Sequence, residues 1–255
     1  MPAQPDLARL SVRQFAERFR GEMIPLSNTF SYFCASVPMS DEDLREYLQE
    51  PVAALPPKIA AALPKISILL VPYLERGNGA EKGREKAPSA DYVSIEKPPQ
   101  GRTSTSTQVQ LGEETVLAFA LKDQEVAEYH YRFYHLLATV IGEHWSEDVE
   151  TCYSRLLREE LGKDANGEVD EPSWRLKQTL RRTKNLAAAR AFGVYARQSF
   201  VDTLTLYMHG ICCDIDVETG PRQLPSPYIR KRLFALQELF PPPSGYAVFP
   251  EQIES

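Results

Sequence analysis

Apolar residues recur at helical spacing through most of the chain after Asp123, and this periodicity constrains the fold more than any other feature. Advancing 100° per residue from Glu128 gathers six apolar side chains on one broad helix face: Val126, Tyr129, Phe133, Leu137, Val140 and Ile141. The segment after Ser146, a typical N-cap residue, follows the same template with Val149, Cys152, Tyr153, Leu156, Leu157 and Leu161. Further helices are expected from about Pro172 to Ile211 and after Ser226. The C-terminal half is therefore predicted to be a helical body.

A different pattern lies between Lys65 and Leu121. The run from Ile66 to Val71 is rich in β-branched residues, which favours a buried strand. Tyr92–Ile95 is a candidate return strand, and residues 109–111 and 115–121 are joined through Gly112–Glu113 with the spacing of a hairpin. The sequence thus predicts an α+β fold, with a mainly helical body and a small antiparallel sheet in the N-terminal half.

The domain organisation is expected to be simple. No linker interrupts the pattern, so residues 1–255 are predicted to form a single globular domain. Residues 75–90 are rich in Gly, Glu and Lys and almost without apolar side chains, so they bury too little surface to order themselves. We expect a flexible loop at about 75–91.

Charge and cysteine usage narrow the possible partners. The net charge of −6 disfavours wholesale nucleic-acid binding, so a nucleic acid is not the expected partner. Residues 1–21 contain no apolar core of a secretory signal, and the longest apolar run is too short to span a bilayer. The four cysteines form no CxxC pair. We therefore expect a cytoplasmic protein without a membrane segment.

The segment from His209 to Asp216 contains the densest group of potentially reactive side chains. If a helix continues through it, His209, Cys212, Cys213 and Asp216 share one face at offsets 0, 3, 4 and 7. Imidazole and thiolate suit zinc, which makes His209, Cys213 and Asp216 a candidate metal site. The same pair could form a thiolate–imidazolium nucleophile. The alternative is a structural segment with buried cysteines and a core histidine, and Gly210 could end the helix early.

Other catalytic signals are absent from the sequence. The chain has no GxSxG, Walker A, HExxH or kinase signature. His130, His135 and His144 follow one another at gaps of five and nine residues, so no two of them can share a metal from one helix face. A packing or solvent-facing role is the simpler interpretation of these histidines.

The stretch from Ser173 to Val201 carries seven basic residues and no acidic one, in a protein that is acidic as a whole. Such an asymmetry favours a surface for an anion or an acidic protein, with Arg175, Arg181, Arg182 and Lys184 as its candidate residues. The alternative is a solvated helix face whose charges pair with acids of a neighbouring helix, such as Glu159 and Glu160.

Two functional classes follow from these observations. The first is a non-enzymatic interaction or scaffold domain that uses the basic helix or the acidic row of Asp214, Asp216 and Glu218. It is favoured because the catalytic signatures are missing. The second is a metal-dependent hydrolase that uses the cluster around His209–Asp216. No cofactor is expected in the first case, and zinc is expected in the second.

Overall fold

The structure, a computed structural model, describes residues 10–77, 91–163, 165–183, 187–213 and 224–249. The described residues confirm a mixture of helix and sheet in which helix dominates. The α-helices are α1 Val12–Phe19, α2 Asp41–Leu44, α3 Glu50–Ala53, α4 Pro57–Ala62, α5 Val126–Glu143, α6 Glu147–Gly162, α7 Glu171–Arg182, α8 Ala187–Cys212 and α9 Ser226–Leu239. A 3₁₀ helix covers Arg20–Glu22, and a π-helix covers Arg45–Gln49. The strands are β1 Ile24–Pro25, β2 Phe30–Cys34, β3 Lys65–Val71, β4 Tyr73–Arg76, β5 Asp91–Ser94, β6 Thr103–Ser104, β7 Ser106–Leu111 and β8 Glu114–Ala120.

The main sheet has five strands in the order β1-β2-β3-β8-β7. Its three central strands, β2, β3 and β8, run parallel, while β1 and β7 pair antiparallel at the edges. The prediction of a small antiparallel sheet is therefore wrong for the centre of this sheet, which is parallel. The physical reason is that every β3 residue from Ile66 to Val71 is buried. A continuous buried run is typical of parallel strands, which are covered on both faces of the sheet.

The predicted hairpin and return strand are confirmed. β7 and β8 are joined by the two-residue turn at Gly112–Glu113, where Gly112 has a φ of 65° that other residues rarely adopt. β5 pairs with β4 in a second sheet of three strands, ordered β5-β4-β6. β4 and β5 occupy the ends of the expected loop at 75–91, and residues 78–90 lie outside the described residues.

The chain divides into two compact units. The sheet unit comprises residues 1–49 and 63–132, and the helical unit comprises residues 50–62 and 133–255. In the sheet unit, α1 packs its Val12, Phe15 and Ala16 against one face of the main sheet, where Leu69, Val71 and Val116 meet them in one apolar core. A capping box at Ser11 begins α1, as the spacing of Ser11 and Gln14 predicts.

The helical unit is built around α8. From Phe200 to Ile211 every residue of this helix is buried, which is typical of a helix covered on all sides. Gly142 of α5 permits a close approach to α8, since a Cβ at this position would lie 2.7 Å from Val201 Cγ2. Ser146 caps α6 by accepting from the Val149 N–H, as expected. Within the described ranges, no helix combines the length and the apolar character that crossing a membrane requires.

Candidate functional site

The structure describes three of the four basic residues that the sequence singles out. Arg175, Arg181 and Arg182 are exposed on α7, and Lys184 lies outside the described residues. Arg175 Nη2 donates to Glu171 at 2.6 Å within the same helix. Arg175 is thus already paired, although such an exposed pair contributes little to stability.

The acids expected to neutralise α7 have other partners. Glu159 accepts from Lys231 Nζ at 2.7 Å, and Glu160 pairs with Arg232 Nη2 at 2.6 Å. Both cations belong to α9 and not to α7. The basic stretch therefore does not owe its neutralisation to these two residues of α6.

Lys177 is one of the seven basic residues between Ser173 and Val201, but it does not lie on the surface. Its side chain is completely buried, and its Nζ donates to Glu168 Oε1 at 3.0 Å and to the Gly167 carbonyl at 2.8 Å. Burial is the main cause of the lowered pKa of Lys177, and the charge and hydrogen bond of Glu168 oppose that shift. Lys177 therefore belongs to the interior of the helical unit and not to an anion-binding surface.

Arg232 of α9 lies at the centre of this buried polar cluster. Its Nε and Nη2 donate to Glu160 at 3.1 and 2.6 Å, and its Nη1 and Nη2 donate to Glu168 at 2.7 and 3.1 Å. Nη1 also donates to Ser199 Oγ at 2.9 Å. All five N–H groups of the guanidinium thus have acceptors, which is the condition for burying it.

Glu168 joins the cations to α8. Burial alone would raise the pKa of Glu168, but the charge and hydrogen bonds of Arg232, the charge of Lys177 and a hydrogen bond from Tyr195 lower it to about 2. The Tyr195 hydroxyl donates a hydrogen bond to the Glu168 carboxylate. Burial is the main cause of the raised pKa of Tyr195. Two carboxylates and two cations therefore balance one another in the interior.

The cluster fastens segments together and offers no access to a substrate. Lys177 and Arg232 are fully buried, and Glu160 and Glu168 are exposed by no more than 2%. Their partners come from α6, the α6–α7 connection, α7, α8 and α9, so one network ties four helices. A saturated and closed network of this kind specifies packing, and we assign it no catalytic role.

A groove on the surface of α8 has the opposite character. It has a volume of about 460 Å³ and is lined by Trp145, Glu150, Leu176, Arg190, Gly193, Val194, Arg197 and Gln198. The Arg197 guanidinium lies 6.0 Å from the Trp145 ring centroid, within cation–π range. Val194 is 51% exposed, and a Cβ at Gly193 would meet nothing within 4 Å. We call this feature the α8 groove.

The electrostatics of the α8 groove favour an anion. Arg190 and Arg197 are exposed, and the structure pairs neither with a carboxylate among the residues it describes. Glu150 is the single acidic residue in the lining. Arg190 and Arg197 therefore belong with Arg175, Arg181 and Arg182 to the exposed basic residues of the stretch 173–201, although the sequence pattern does not single them out.

The predicted metal ligands fall at the C-terminal end of α8. The helix continues past Gly210 to Cys212, and the Cys213 N–H donates to the His209 carbonyl at 2.9 Å. His209 is buried, with its ring 6.2 Å from the ring of Tyr134. Asp216 lies outside the described residues, so the complete predicted set of His209, Cys213 and Asp216 stays a prediction.

The sheet unit has a cleft of about 610 Å³ at the N-terminal ends of β2, β3 and β8. Arg20 Nη2 donates to Glu114 at 2.6 Å, Ser67 donates to the same carboxylate, and Ser31 Oγ lies 3.0 Å from Ser67 Oγ. Ligands of sheets with parallel strands usually bind at the carboxyl ends instead. The Glu114 carboxylate is already bonded to Arg20 and Ser67, so we interpret these hydrogen bonds as contacts that hold the strand ends together.

Comparison with known proteins gives no relative from which a role could be transferred. No family model, no curated protein and no solved structure matches the chain.

Proposed function

We propose that the protein is a non-enzymatic interaction domain whose α8 groove binds an acidic segment of a partner protein. The observation that carries this proposal is that two exposed arginines, Arg190 and Arg197, line the same groove as aromatic and apolar side chains. Four cysteines without a disulfide fit a reducing compartment such as the cytoplasm.

Charge complementarity supports an acidic occupant. The chain has a net charge of −6, yet the lining of the α8 groove holds two arginines and one glutamate. A local excess of positive charge attracts an acidic segment and raises its association rate. The other basic side chains of α7 lie on the helix that contributes Leu176 to the same groove.

The apolar part of the α8 groove supports a protein segment rather than a simple anion. Trp145, Leu176 and the exposed Val194 offer a contact surface for an apolar side chain. Trp and Arg are the residue types that most often dominate the energy of protein interfaces. The open space above Gly193 lets a ligand approach the helix backbone. An acidic segment with one apolar anchor would use both features.

Trp145 provides a direct readout of binding. The chain has two tryptophans, so Trp174→Phe leaves Trp145 as the only fluorophore of its kind. We expect a short peptide of glutamates around one leucine to change the Trp145 emission in a saturable way. The same peptide with glutamines in place of glutamates should bind at least about tenfold more weakly, which corresponds to 1.4 kcal/mol.

Charge reversal in the α8 groove gives the sharper test. Arg190→Glu and Arg197→Glu should each weaken binding of the acidic peptide by at least about tenfold, and Gly193→Glu should block it. Arg155→Glu is the matched control, because Arg155 is an exposed arginine that lines a different cavity. Equal binding by all four variants would contradict the proposal. Tighter binding of single-stranded DNA, lost in the same groove variants, would reassign the site to nucleic acid.

The metal-dependent hydrolase remains the alternative prediction. In its favour, α8 continues through Gly210, so that His209 and Cys213 lie one helical turn apart.

A further inference from the structure

Two adjacent thiols end the longest helix of the described chain. Cys212 is the last residue of α8, and Cys213 follows it with its N–H still bonded to the His209 carbonyl. Their Sγ atoms lie within 4.8 Å of each other. Both side chains are partly exposed and form no disulfide. The backbone thus holds two sulfur atoms side by side at a place that small ligands can reach.

This geometry suits a bridging ion better than a disulfide. The peptide bond between the two residues is trans, which sets their Cα atoms about 3.8 Å apart. Disulfides usually join Cα atoms about 4.4–6.8 Å apart, so a bond between these cysteines would be strained and easily reduced. Two thiolates on one tetrahedral zinc ion, each about 2.3 Å from it, need sulfur atoms about 3.8 Å apart. That spacing is compatible with the limit of 4.8 Å within which the two Sγ atoms lie.

We propose that Cys212 and Cys213 form a two-thiolate site for a soft divalent cation of the zinc class. Binding replaces the proton of each thiol by a bond to the ion, and both protons pass to solvent. Water or a further ligand completes the coordination shell, since both cysteine residues are partly exposed. The site differs from the ligand set that the sequence predicts, because it consists of Cys212 and Cys213 and uses neither His209 nor Asp216.

The surroundings of the sulfur atoms favour the charged form of one of them. A hydrogen bond from Cys213, opposed by burial and assisted by the Tyr134 hydroxyl, lowers the pKa of Cys212 to about 7. The same hydrogen bond is the main cause of the raised pKa of Cys213.

Cadmium binding tests the site in the reduced full-length chain. Titration with Cd²⁺ should produce the ultraviolet charge-transfer band of a cadmium thiolate that saturates at one ion per chain, and excess Zn²⁺ should abolish it. Cys212→Ser and Cys213→Ser should each lose the band. The matched controls are Cys34→Ser and Cys152→Ser, which remove partly exposed cysteines elsewhere and should leave the band unchanged. A band that survives in Cys213→Ser, or that disappears in Cys152→Ser, would overturn the proposal.

A second measurement needs no substitution at the site and therefore does not depend on the folding of a variant. In the wild-type chain, bound Cd²⁺ should protect Cys212 and Cys213 from alkylation by iodoacetamide, as read by peptide mass spectrometry. Cys34 and Cys152 should be alkylated at the same rate with and without the ion. Equal alkylation of all four cysteines in the presence of Cd²⁺ would also refute the site.

Discussion

Replacing Arg232 by Met should lower the free energy of unfolding of the helical unit by about 3–5 kcal/mol. The substitution keeps an unbranched apolar stem but removes the guanidinium between Glu160 and Glu168. Both carboxylates would then lie in the interior with Lys177 as the remaining cation of the network. Since whole domains are stable by only about 5–15 kcal/mol, this is a large fraction of the total.

The adjacent residue provides the control. Lys231→Met removes a salt bridge to Glu159 whose partners are 48% and 51% exposed, and exposed pairs contribute at most about 1 kcal/mol. Urea unfolding followed by tryptophan fluorescence measures both, because Trp145 and Trp174 lie in the helical unit. Arg232→Lys keeps the charge but lacks the planar guanidinium with its several donors, so its loss of unfolding free energy should fall between those of Arg232→Met and Lys231→Met. A loss in Arg232→Met no larger than that in Lys231→Met would show that the network does not stabilise the unit.

The same network shows where a sequence pattern stops being informative. In α6, the spacing predicts the buried side chains of Val149, Tyr153, Leu156 and Leu157 correctly. Glu160 falls within about 20° of Val149 on the helical wheel, at the centre of this apolar stripe, and it is buried with them. A carboxylate at the centre of an apolar stripe was therefore a visible signal. Its meaning was hidden, because its partner lies 72 residues away.

Arg232 of α9 is a second charged residue that is buried together with apolar neighbours on its helix. It lies about 60° from Ile229 on the helical wheel, at the edge of a stripe whose apolar members are buried as predicted. Helical periodicity assigns a charged residue to solvent by default, which is right for most charged residues. Only the tertiary structure shows that two such exceptions, one on α6 and one on α9, meet and neutralise each other. Pairs of this kind cannot be found from one helix at a time.

The sheet and the α8 groove were predictable in part for related reasons. A two-residue turn at Gly112 specifies its hairpin locally, whereas the parallel pairing of β2 with β3 joins Phe30 to Ile66 and has no local signal. The sequence also shows the excess of positive charge from Ser173 to Val201. Which of these cations remain exposed is decided by partners elsewhere, as the burial of Lys177 beside Glu168 demonstrates.

The second large effect concerns pH and distinguishes two buried carboxylates of the helical unit. The pKa of Glu168 is lowered from 4.5 to about 2 in the folded chain, so its ionised form stabilises the fold above pH 4.5. This contribution, on the order of 3 kcal/mol, is lost as the pH falls from about 4.5 towards 2. We therefore expect wild type and Glu168→Gln to differ most in unfolding free energy near pH 7 and to converge in acid.

Asp202 should show the opposite trend. Burial raises the pKa of this carboxyl group, although it accepts hydrogen bonds from the Ser173 N–H and the Gln198 amide. A raised pKa means that the protonated form is favoured on folding, so this contribution is present in acid and is lost as the pH rises through the folded pKa. Relative to wild type, Asp202→Asn should thus gain stability as the pH increases, whereas Glu168→Gln should lose it. Urea midpoints measured from acid to neutral pH decide the matter, and parallel curves for the two variants would contradict opposite roles for the two carboxylates.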